Sequence, residues 1–406
     1  MMIVLVLNCG SSSIKYQLLD MNNVEEPTVK AIGIVERIGL TDGILSHKPE
    51  GGGKFKFTDD IPNHESGINM ILDALVSRAH GVIEDLSDIQ AVGHRVAHGG
   101  EYFTKSVLID ENVKSKIDKL SVLAPLHNPA HLSGIESMEK LLPKIPQVAV
   151  FDTSFHQTMP PENFLYAIPY EYYLKHKVRR YGFHGTSHKY VAEKACKLFD
   201  IDINNSKLIT CHLGNGASIC AIKNGKSMDT SMGFTPVEGL MMGTRVGNLD
   251  AGALLFLMDK ENLDAKGVND LLNKRSGVLG ISGISSDMRD IENASWNNKD
   301  ERATLALNMY HQRVKRYIGA FAAEIGGCDA VIFTGGVGEN GPESREEICK
   351  GLEYMGIEFD AEANSGVRGK NKLISAENSR CKVMVVPTNE EKVIARDTIR
   401  VIEAKK

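Results

Sequence analysis

The sequence contains no run of apolar residues that approaches the roughly 18 needed for a membrane-spanning helix. It also lacks a cluster of Lys and Arg, and its net charge of -5 argues against a nucleic-acid surface. The seven cysteines are dispersed and form no CxxC pair, which argues against a zinc ribbon and favours reduced thiols over a disulfide framework. Residues 1–7 are apolar, but they have no basic leader and are too short for a signal peptide. We therefore expect a cytoplasmic protein that binds neither nucleic acid nor a membrane.

The length and the hydrophobic patterning indicate an α/β protein with more than one domain. The 406 residues are 42% hydrophobic and 24% charged, which is ordinary for a globular enzyme but long for a single core. Apolar and alternating segments predict strands at 3–7, 14–19, 30–35, 44–47, 54–58, 147–151, 329–334 and 383–387, and two more within 208–222. Helical periodicity predicts helices at 65–79, 132–142, 251–259, 268–274, 302–325 and 390–403.

A turn of small polar residues joins the first two predicted strands. Residues 8–13 (NCGSSS) leave backbone N–H groups and three hydroxyls without bulky neighbours, and such groups hold phosphate oxygens. Lys15 follows as a flexible cation suited to the outer phosphates of a nucleotide. A tight polar hairpin in a β protein has the same appearance, so this turn alone leaves phosphate binding open.

The same strand–turn–strand pattern returns in the second half of the chain. Within residues 208–222 an apolar strand enters the turn HLGNG (residues 212–216) and leaves as an alternating strand. Placing Gly10 over Gly214 aligns the two units without a gap, which favours a duplicated fold with a cleft between the halves. Two unrelated hairpins are the alternative.

A third glycine turn follows the predicted strand 329–334. Residues 336–341 (GVGENG) match the GxGxxG dinucleotide fingerprint, a helical run at 342–355 follows, and Asp360 lies roughly where a ribose-binding acid belongs. An NAD-dependent oxidoreductase is therefore an alternative. It would explain only one of the three glycine turns.

Six motifs occur in the order found in acetate kinases, and the chain resembles that family over essentially its whole length. They are NCGSSSIK (8–15), YGFHGTSH (181–188), HLGNG (212–216), GTR (243–245), GGVGEN (335–340) and PTNEE (387–391). The acetate and propionate kinases belong to the superfamily of sugar kinases, Hsp70 chaperones and actin. The resemblance implies two ribonuclease H-like α/β domains with a cleft between them. These are an N-terminal domain of residues 1–156 plus 390–406 and a nucleotide-binding domain of residues 157–389.

The resemblance also implies an activity and its partners. A kinase of this family transfers the γ-phosphate of ATP to acetate, reversibly and directly in line, and forms acetyl phosphate and ADP. Magnesium is implied as the metal, with manganese as a substitute. Propionate is expected as a secondary substrate, and a homodimer through the second domain is expected.

Phosphoryl transfer to a carboxylate needs cations, a metal and hydrogen-bond donors at the migrating group. Arg95 and Arg245 lie in glycine-flanked segments that we interpret as loops, and a guanidinium grips a carboxylate or a phosphoryl group bidentately. The resemblance places both in the acceptor site and makes His184 a donor to the phosphoryl group. A carboxylate acceptor is ionised near neutral pH and needs no general base, so we assign Asp152 to orient magnesium and its waters.

The resemblance assigns the remaining site residues by motif. It implies Asn8 and Glu390 as metal-side residues. It implies an apolar pocket for the methyl group of acetate, formed by Ala97, Leu126, Phe183 and Pro236; position 97 is commonly valine in the family. It assigns ATP and ADP to Lys15, His212, Leu213, Gly214, Asn215, Gly216, Asp287, Met288, Arg289, Gly335, Gly336, Val337, Gly338 and Glu339.

Two further alternatives concern the histidines and the superfamily. The HxxxH pairs are His94/His98, His127/His131 and His184/His188, and at helical spacing such pairs could bind zinc. None carries the HExxH glutamate, and Gly or Pro interrupts or borders each, so we expect no long regular helix there and disfavour a zinc hydrolase. We expect His127 to border the acceptor pocket and the histidines other than His184 to satisfy buried backbone groups. A nucleotide-gated interaction protein like actin or Hsp70 would not need the two arginines and His184.

Overall fold

The described chain, residues 2–125 and 127–405 of a computed structural model, divides into two units. Unit 1 comprises Met1–Phe155 and Asn389–Lys406, and unit 2 comprises His156–Thr388. Each unit contains one mixed β-sheet with helices packed on it.

Unit 1 holds an eight-stranded sheet in the order β5-β4-β3-β2-β1-β6-β8-β7. Its strands are β1 (Ile3–Cys9), β2 (Ser13–Asp20), β3 (Thr28–Glu36), β4 (Leu40–Pro49), β5 (Phe55–Ile61), β6 (Ile89–Val96), β7 (Val107–Leu108) and β8 (Gln147–Phe151). Its helices are α1 (His64–Leu75), α2 (Glu111–Lys119), α3 (Asn128–Leu141) and the C-terminal helix, named α15 in chain order (Glu390–Glu403).

The central strand β1 is buried on both faces, which explains its unbroken apolar sequence. Ile3, Leu5 and Leu7 belong to a core with residues of α1 and α3, whereas Val4 and Val6 pack with residues of α15. Successive side chains of a strand point to opposite faces, so one strand supplies both cores. Its carboxyl end, with those of β6, which pairs parallel with it, and of β8, which pairs parallel with β6, carries polar residues of the candidate site.

Helix α1 has the apolar face from which its sequence predicted a helix. The Asn63 side chain accepts a hydrogen bond from the backbone N–H of Ser66 and caps the helix start. Ile68, Ile71 and Leu72 are buried on one face, at the spacing from which the helix was predicted. The helix ends at Leu75, earlier than the predicted residue 79, because the chain then turns, with the Gly81 N–H bonded to the Ser77 carbonyl.

Unit 2 holds a six-stranded sheet in the order β11-β10-β9-β12-β14-β13. Its strands are β9 (Lys207–Leu213), β10 (Ala217–Lys223), β11 (Lys226–Thr230), β12 (Ala330–Thr334), β13 (Lys372–Leu373) and β14 (Lys382–Val385). Its helices are α4 (Pro161–Phe164), α5 (Glu171–His176), α6 (Gly185–Leu198), α7 (Ala251–Lys260), α8 (Ala265–Lys274), α9 (Gly277–Ser282), α10 (Met288–Glu292), α11 (Glu301–Ile325), α12 (Gly335–Asn340), α13 (Pro342–Cys349) and α14 (Ala361–Asn364).

The two sheets repeat one pairing scheme. In unit 1, β1 pairs antiparallel with β2 and parallel with β6, and β6 pairs parallel with β8. In unit 2, β9 pairs antiparallel with β10 and parallel with β12, and β12 pairs parallel with β14. The two hairpins aligned at Gly10 and Gly214 are therefore equivalent elements, and the prediction of a duplicated α/β fold is confirmed.

Strand β9 separates an apolar face from a polar one. Ile209, Cys211 and Leu213 belong to the core that includes the buried side of α11. Thr210 and His212 on the other face bond side chains of α6. Within the described residues, no helix combines the length and hydropathy that crossing a membrane requires.

Candidate active site

Four polar residues of unit 1 meet at the carboxyl ends of its parallel strands and at the start of α15. Arg95 donates from Nε to both carboxylate oxygens of Asp152 at 3.1 Å, and from Nη2 to Oδ2 at 2.5 Å. Its Nη1 donates to Asn8 Oδ1 at 3.2 Å. Glu390, the first residue of α15, is close enough to Arg95 and Asp152 to interact electrostatically with both. Arg95 lies within β6, so its predicted placement in a loop was wrong.

The charges of this cluster perturb one another. Burial by itself would lower the pKa of Arg95, but the adjacent Asp152 carboxylate outweighs it and holds that pKa above its ordinary value. Burial raises the pKa of Glu390 to about 7; Arg95 and Lys15 oppose the rise, and the carboxylates of Asp152 and Glu391 add to it. A cation bound near Glu390 would stabilise the ionised form of its carboxyl group.

The oxygen chemistry of this cluster suits a hard divalent cation. Asn8, Asp152 and Glu390 offer amide and carboxylate oxygens, which Mg²⁺ prefers. Among the residues that the structure describes, no three or more His, Cys, Asp or Glu side chains form a complete metal cage. Magnesium typically keeps waters and phosphate oxygens as ligands, so an incomplete protein set fits it.

In unit 2, a strained turn presents His184. Gly182 has a φ of 73°, and a Cβ there would lie 2.3 Å from Thr230 Cγ2, so only glycine fits. His184 itself has a φ of 57° and precedes α6. Its Nδ1 lies 2.9 Å from Ser218 Oγ, and its ring stacks on His212 with the centroids 4.2 Å apart. Non-glycine residues adopt this conformation sparsely, so the surrounding contacts hold the His184 backbone in place.

Arg245 and His184 both approach the glycine turn that follows β9. A Cβ added at Gly216 would lie 3.3 Å from Arg245 Nη1 and 3.7 Å from His184 Nε2. Arg245 has no carboxylate partner within the described residues; its Nη1 donates only to the Pro236 carbonyl at 3.4 Å and contacts Met242 Sδ at 3.7 Å. Burial lowers the pKa of Arg245. An unpaired guanidinium beside an imidazole and a bare turn forms an anion-binding arrangement.

A cavity of about 600 Å³ in unit 2 begins at the same turn. Seven residues predicted to bind nucleotide line it: Gly214, Asn215, Asp287, Met288, Arg289, Gly336 and Val337. Seven lining residues were missed: Gly243, Ser286, Glu292, Tyr310, Asn340, Gly341 and Arg368. Of these, three lay in segments that the sequence had marked: Gly243 in the GTR motif, and Asn340 and Gly341 in the GxGxxG match. The volume is in the range of small-molecule sites.

Other predicted nucleotide residues lie elsewhere. His212, Leu213, Gly216, Gly335, Gly338 and Glu339 are not among the residues that line the cavity. Lys15 is exposed on β2 of unit 1, opposite Asn8 in the strand pair. The carboxylate of Glu339 accepts hydrogen bonds from the backbone N–H groups of Gly335 and Thr388.

The third glycine segment is not an open turn. Gly335–Asn340 form the short helix α12 directly after β12. Gly335 has a φ of 76°, and its N–H is bonded to Glu339 Oε1. The prediction of a turn was wrong, because the Glu339 side chain accepts a hydrogen bond from the N–H of Gly335 and so stabilises the start of a helix there.

The histidine pairs also differ from expectation. His131 lies in α3 and His188 lies in α6, helices of 14 residues each, so the expectation of no long helix was wrong. The flanking Pro and Gly occupy first turns, where they are tolerated. His98 Nδ1 accepts from the Gly100 N–H, as expected of a histidine that serves the backbone. His94 bonds the Gln147 side chain, His188 bonds two hydroxyls, and neither ring nitrogen of the buried His131 has a partner within the described residues.

The residues predicted for the methyl pocket fall in both units. Ala97 is buried directly after β6 in unit 1. Phe183 is buried beside His184 in unit 2, where Pro236 is half-buried. Leu126 lies outside the described residues.

Comparison with known proteins decides the family. Residues 3–396 match the Acetokinase family. This chain belongs to the acetokinase family. It is 58% identical over 400 residues to an acetate kinase of Caldanaerobacter subterraneus subsp. tengcongensis, an alignment that spans 98% of this chain and 99% of that one. These findings set aside the oxidoreductase, zinc hydrolase and interaction-protein alternatives.

Solved structures of the acetokinase family agree. The chain resembles the crystal structure of Porphyromonas gingivalis acetate kinase with a TM-score of 0.96 and 52% identity, covering 99% of this chain and 100% of that one. It also resembles a propionate kinase from Francisella tularensis subsp. tularensis SCHU S4, with a TM-score of 0.90, 41% identity and the same coverage. The predicted family and two-domain α/β fold are confirmed.

Proposed function

We propose that this chain is an acetate kinase that transfers the γ-phosphoryl group of ATP to acetate, reversibly, and forms acetyl phosphate and ADP. Propionate is the secondary acceptor. Membership of the acetokinase family makes the chain a phosphotransferase with a carboxyl group as acceptor. A propionate kinase among its structural relatives supports the second acid.

The observation that carries the proposal is the convergence of Arg245 and His184 on Gly216. This turn continues directly into the lining of the 600 Å³ cavity through Gly214 and Asn215. We propose that a nucleotide in that cavity has its phosphates directed toward the Arg245 guanidinium and the His184 imidazole at this turn. Donors aimed at developing charge are the main catalytic device in phosphoryl transfer.

In the proposed step, an acetate oxygen forms a bond to the γ-phosphorus while the bond from that phosphorus to the ADP oxygen breaks. Acetate enters as an anion, so no proton has to move. Arg245 and His184 donate to the oxygens of the phosphoryl group. Arg95 binds charge on the acceptor side.

Asp152 holds Arg95 and, with Asn8 and Glu390, forms the oxygen cluster proposed for magnesium; manganese is the expected substitute. The metal supplies charge neutralisation on the nucleotide phosphates. The raised pKa of Glu390 supports a cation at this position, because the electrostatic repulsion from Asp152 and Glu391 falls when one binds.

The remaining proposals concern the alkyl pocket, the nucleotide and the domain bounds. Ala97, Leu126, Phe183 and Pro236 are proposed for the alkyl end of the acid. The six nucleotide candidates outside the cavity wall, and Lys15, stay proposals for the phosphates and adenosine. We keep residues 1–156 with 390–406 as the N-terminal domain and residues 157–389 as the nucleotide-binding domain.

A homodimer through unit 2 is the proposed assembly. Helix α7 buries none of its residues, although its sequence is apolar; Leu255 is 65% and Phe256 is 60% exposed. An exposed apolar helix face favours a protein partner. Light scattering of the purified chain tests this, and a monomer mass at micromolar concentration would exclude it. A cytoplasmic location is proposed from the seven free cysteines.

One assay tests the activity. The chain is incubated with acetate, ATP, Mg²⁺ and hydroxylamine, and acetyl hydroxamate is measured by its iron complex. We expect hydroxamate that depends on both acetate and ATP. ATP hydrolysis without hydroxamate would indicate a nucleotide switch instead, and no reaction of either kind would contradict the kinase proposal.

A further inference from the structure

Four side chains of unit 2 form a continuous line of hydrogen bonds that ends at His184. Thr210 Oγ1 lies 2.7 Å from His188 Nδ1. His188 Nε2 lies 2.8 Å from Ser218 Oγ, which in turn lies 2.9 Å from His184 Nδ1. Thr210, His188 and Ser218 are fully buried, so water does not compete for these bonds.

The line joins three elements of the fold. Thr210 lies on the polar face of β9, Ser218 lies on β10, and His188 projects from the first turns of α6. None of the three lines the cavity. The hydrogen bonds of the line reach the site at His184.

His188 is neutral, because burial lowers its pKa well below the ordinary value and the nearby His156 and His212 lower it further. A neutral imidazole carries one N–H donor and one acceptor nitrogen. Each hydroxyl carries one hydrogen. Three arrangements of these hydrogens are therefore possible. In one, both imidazoles donate to Ser218, and the buried Ser218 hydroxyl hydrogen is left without an acceptor within the described residues, which is costly. The other two run in a single direction, and only one of them suits the buried end of the line.

In the first direction, the Thr210 hydroxyl donates to Nδ1 of His188, Nε2–H of His188 donates to Ser218, and the Ser218 hydroxyl donates to Nδ1 of His184. Each hydrogen between Thr210 and Nδ1 of His184 then has an acceptor, and His184 carries its own proton on Nε2.

In the opposite direction, His184 donates from Nδ1 and Thr210 becomes the final acceptor. The Thr210 hydroxyl hydrogen then has no acceptor, since Thr210 Oγ1 makes no other hydrogen bond within the described residues. A buried donor without a partner is costly. The first direction is therefore favoured.

We infer that Thr210, His188 and Ser218 fix His184 as its Nε2–H tautomer and so keep a hydrogen-bond donor aimed at the turn where Arg245 Nη1 lies. The inference rests on the proposed role of His184 in phosphoryl transfer. Thr210 and His188 are positioning residues, because they are fully buried outside the cavity lining and act through Ser218. The tautomer suits a reaction that needs a donor to a phosphoryl oxygen and no general base.

The test removes the hydroxyl at the far end of the line. Thr210→Val keeps the shape of the side chain but deletes the donor, so both directions become possible and the His184 population shifts toward the Nδ1–H form. ¹⁵N-histidine NMR reads the tautomer, and His184→Asn identifies the signal. We expect kcat to fall on the order of 10-fold, with KM for acetate and ATP nearly unchanged. Thr210→Ser restores the hydroxyl and should restore both readouts.

Thr230→Val is the matched control. Thr230 is also fully buried, on β11, and its hydroxyl donates to the Ile219 carbonyl outside the line. It should lose stability as Thr210→Val does, with no change in the His184 tautomer. Ser218→Ala breaks the line beside His184 and serves if Thr210→Val does not fold.

Three results would overturn the inference. One is a wild-type His184 protonated on Nδ1, and another is an unchanged tautomer in both Thr210→Val and Ser218→Ala. The third is an equal loss of kcat in Thr210→Val and Thr230→Val. The two proposals can fail separately, because NMR needs no turnover. A chain that makes no acyl phosphate would contradict the proposed function, and the NMR spectrum would still show whether the hydrogen-bond line fixes the His184 tautomer.

Discussion

Arg95 and Asp152 form a two-point ion pair, with Nε and Nη2 of the guanidinium both donating to the carboxylate. Asp152 is 1% exposed and Arg95 is 24% exposed, so the guanidinium balances the charge of a buried carboxylate. The remaining Nη1 donates to Asn8. The ion pair therefore stabilises unit 1 and also holds Arg95 beside Asn8, a residue of the proposed metal site.

Arg95→Ala should lose both activity and stability. We expect kcat to fall about 100-fold or more, as for other preorganised charge-stabilising donors. The free energy of unfolding should fall by about 2–3 kcal/mol, below the range for fully buried pairs because Arg95 is partly exposed. The hydroxamate assay and urea denaturation measure the two effects. Arg400→Ala, which removes an exposed arginine from a weak pair with Asp397, is the control and should change neither.

Arg245→Ala should lose activity without losing stability. Its guanidinium is largely buried without a carboxylate, so alanine removes an unpaired charge. We expect the thermal midpoint to stay equal or to rise, while kcat falls on the order of 100-fold. Arg275→Ala, at an exposed arginine paired with Asp270, is the control. A marked loss of stability in Arg245→Ala would show a structural role for Arg245.

Glu390 should make stability depend on pH. Its folded pKa is about 7, above the ordinary 4.5, so the folded state binds the proton more tightly than the unfolded state does. This stabilises the fold at low pH and is lost as pH rises from about 4.5 to 7, on the order of 1–3 kcal/mol. Glu390→Gln should flatten that part of the profile and be the more stable protein at pH 8. Parallel profiles of the two proteins, from urea denaturation, would contradict the raised pKa.

The magnesium requirement tests the oxygen cluster separately. Asn8→Ala removes an amide oxygen, and Glu390→Gln replaces a carboxylate with a neutral amide that binds Mg²⁺ more weakly, so half-maximal activity should need several-fold more Mg²⁺ in both. Glu391→Gln is the control, because it removes a neighbouring charge that is not assigned to the metal. Activity curves against Mg²⁺ that coincide with the wild type would remove Asn8 and Glu390 from the metal site.

Much of the fold was readable from local patterns. Strand 147–151 and helix 390–403 were predicted with their observed bounds, because a fully buried strand reads as an unbroken apolar run and a capped amphipathic helix repeats every 3.6 residues. Helix α12 was not readable. Its GGVGEN sequence has low helix propensity, and what stabilises it is a side chain, Glu339, that also bonds Thr388.

The site was readable only where a motif marked it. Asp287–Arg289 were assigned by resemblance and do line the cavity. Tyr310 and Glu292 also line it, but each comes from a helix in which a tyrosine or a glutamate looks like an ordinary core or surface residue. Their position depends on how α10 and α11 pack, and this packing cannot be predicted from the local sequence of either helix. The same holds for Thr210, whose importance depends on His188 reaching it from α6.

The last prediction concerns the size of the acid. Ala97 is 3% exposed, and valine at this position, common in the family, adds two methyl groups to a proposed alkyl pocket.

Ala97→Val should reduce kcat/KM for propionate more than for acetate. A methylene-sized change in an apolar pocket shifts selectivity by about 1–3 kcal/mol, so acetate should remain a substrate. Ala97→Gly is the opposite arm and should raise the ratio of propionate to acetate use. Overpacking by valine costs about 1–3 kcal/mol of stability, which urea denaturation separates from selectivity. Butyrate should be a poor substrate in all three proteins, because we propose that Phe183 and Leu126 close the far end of the pocket. A propionate-to-acetate ratio that is the same in wild type, Ala97→Val and Ala97→Gly would remove residue 97 from the pocket, and the kinase assignment would then rest on the arginines and His184.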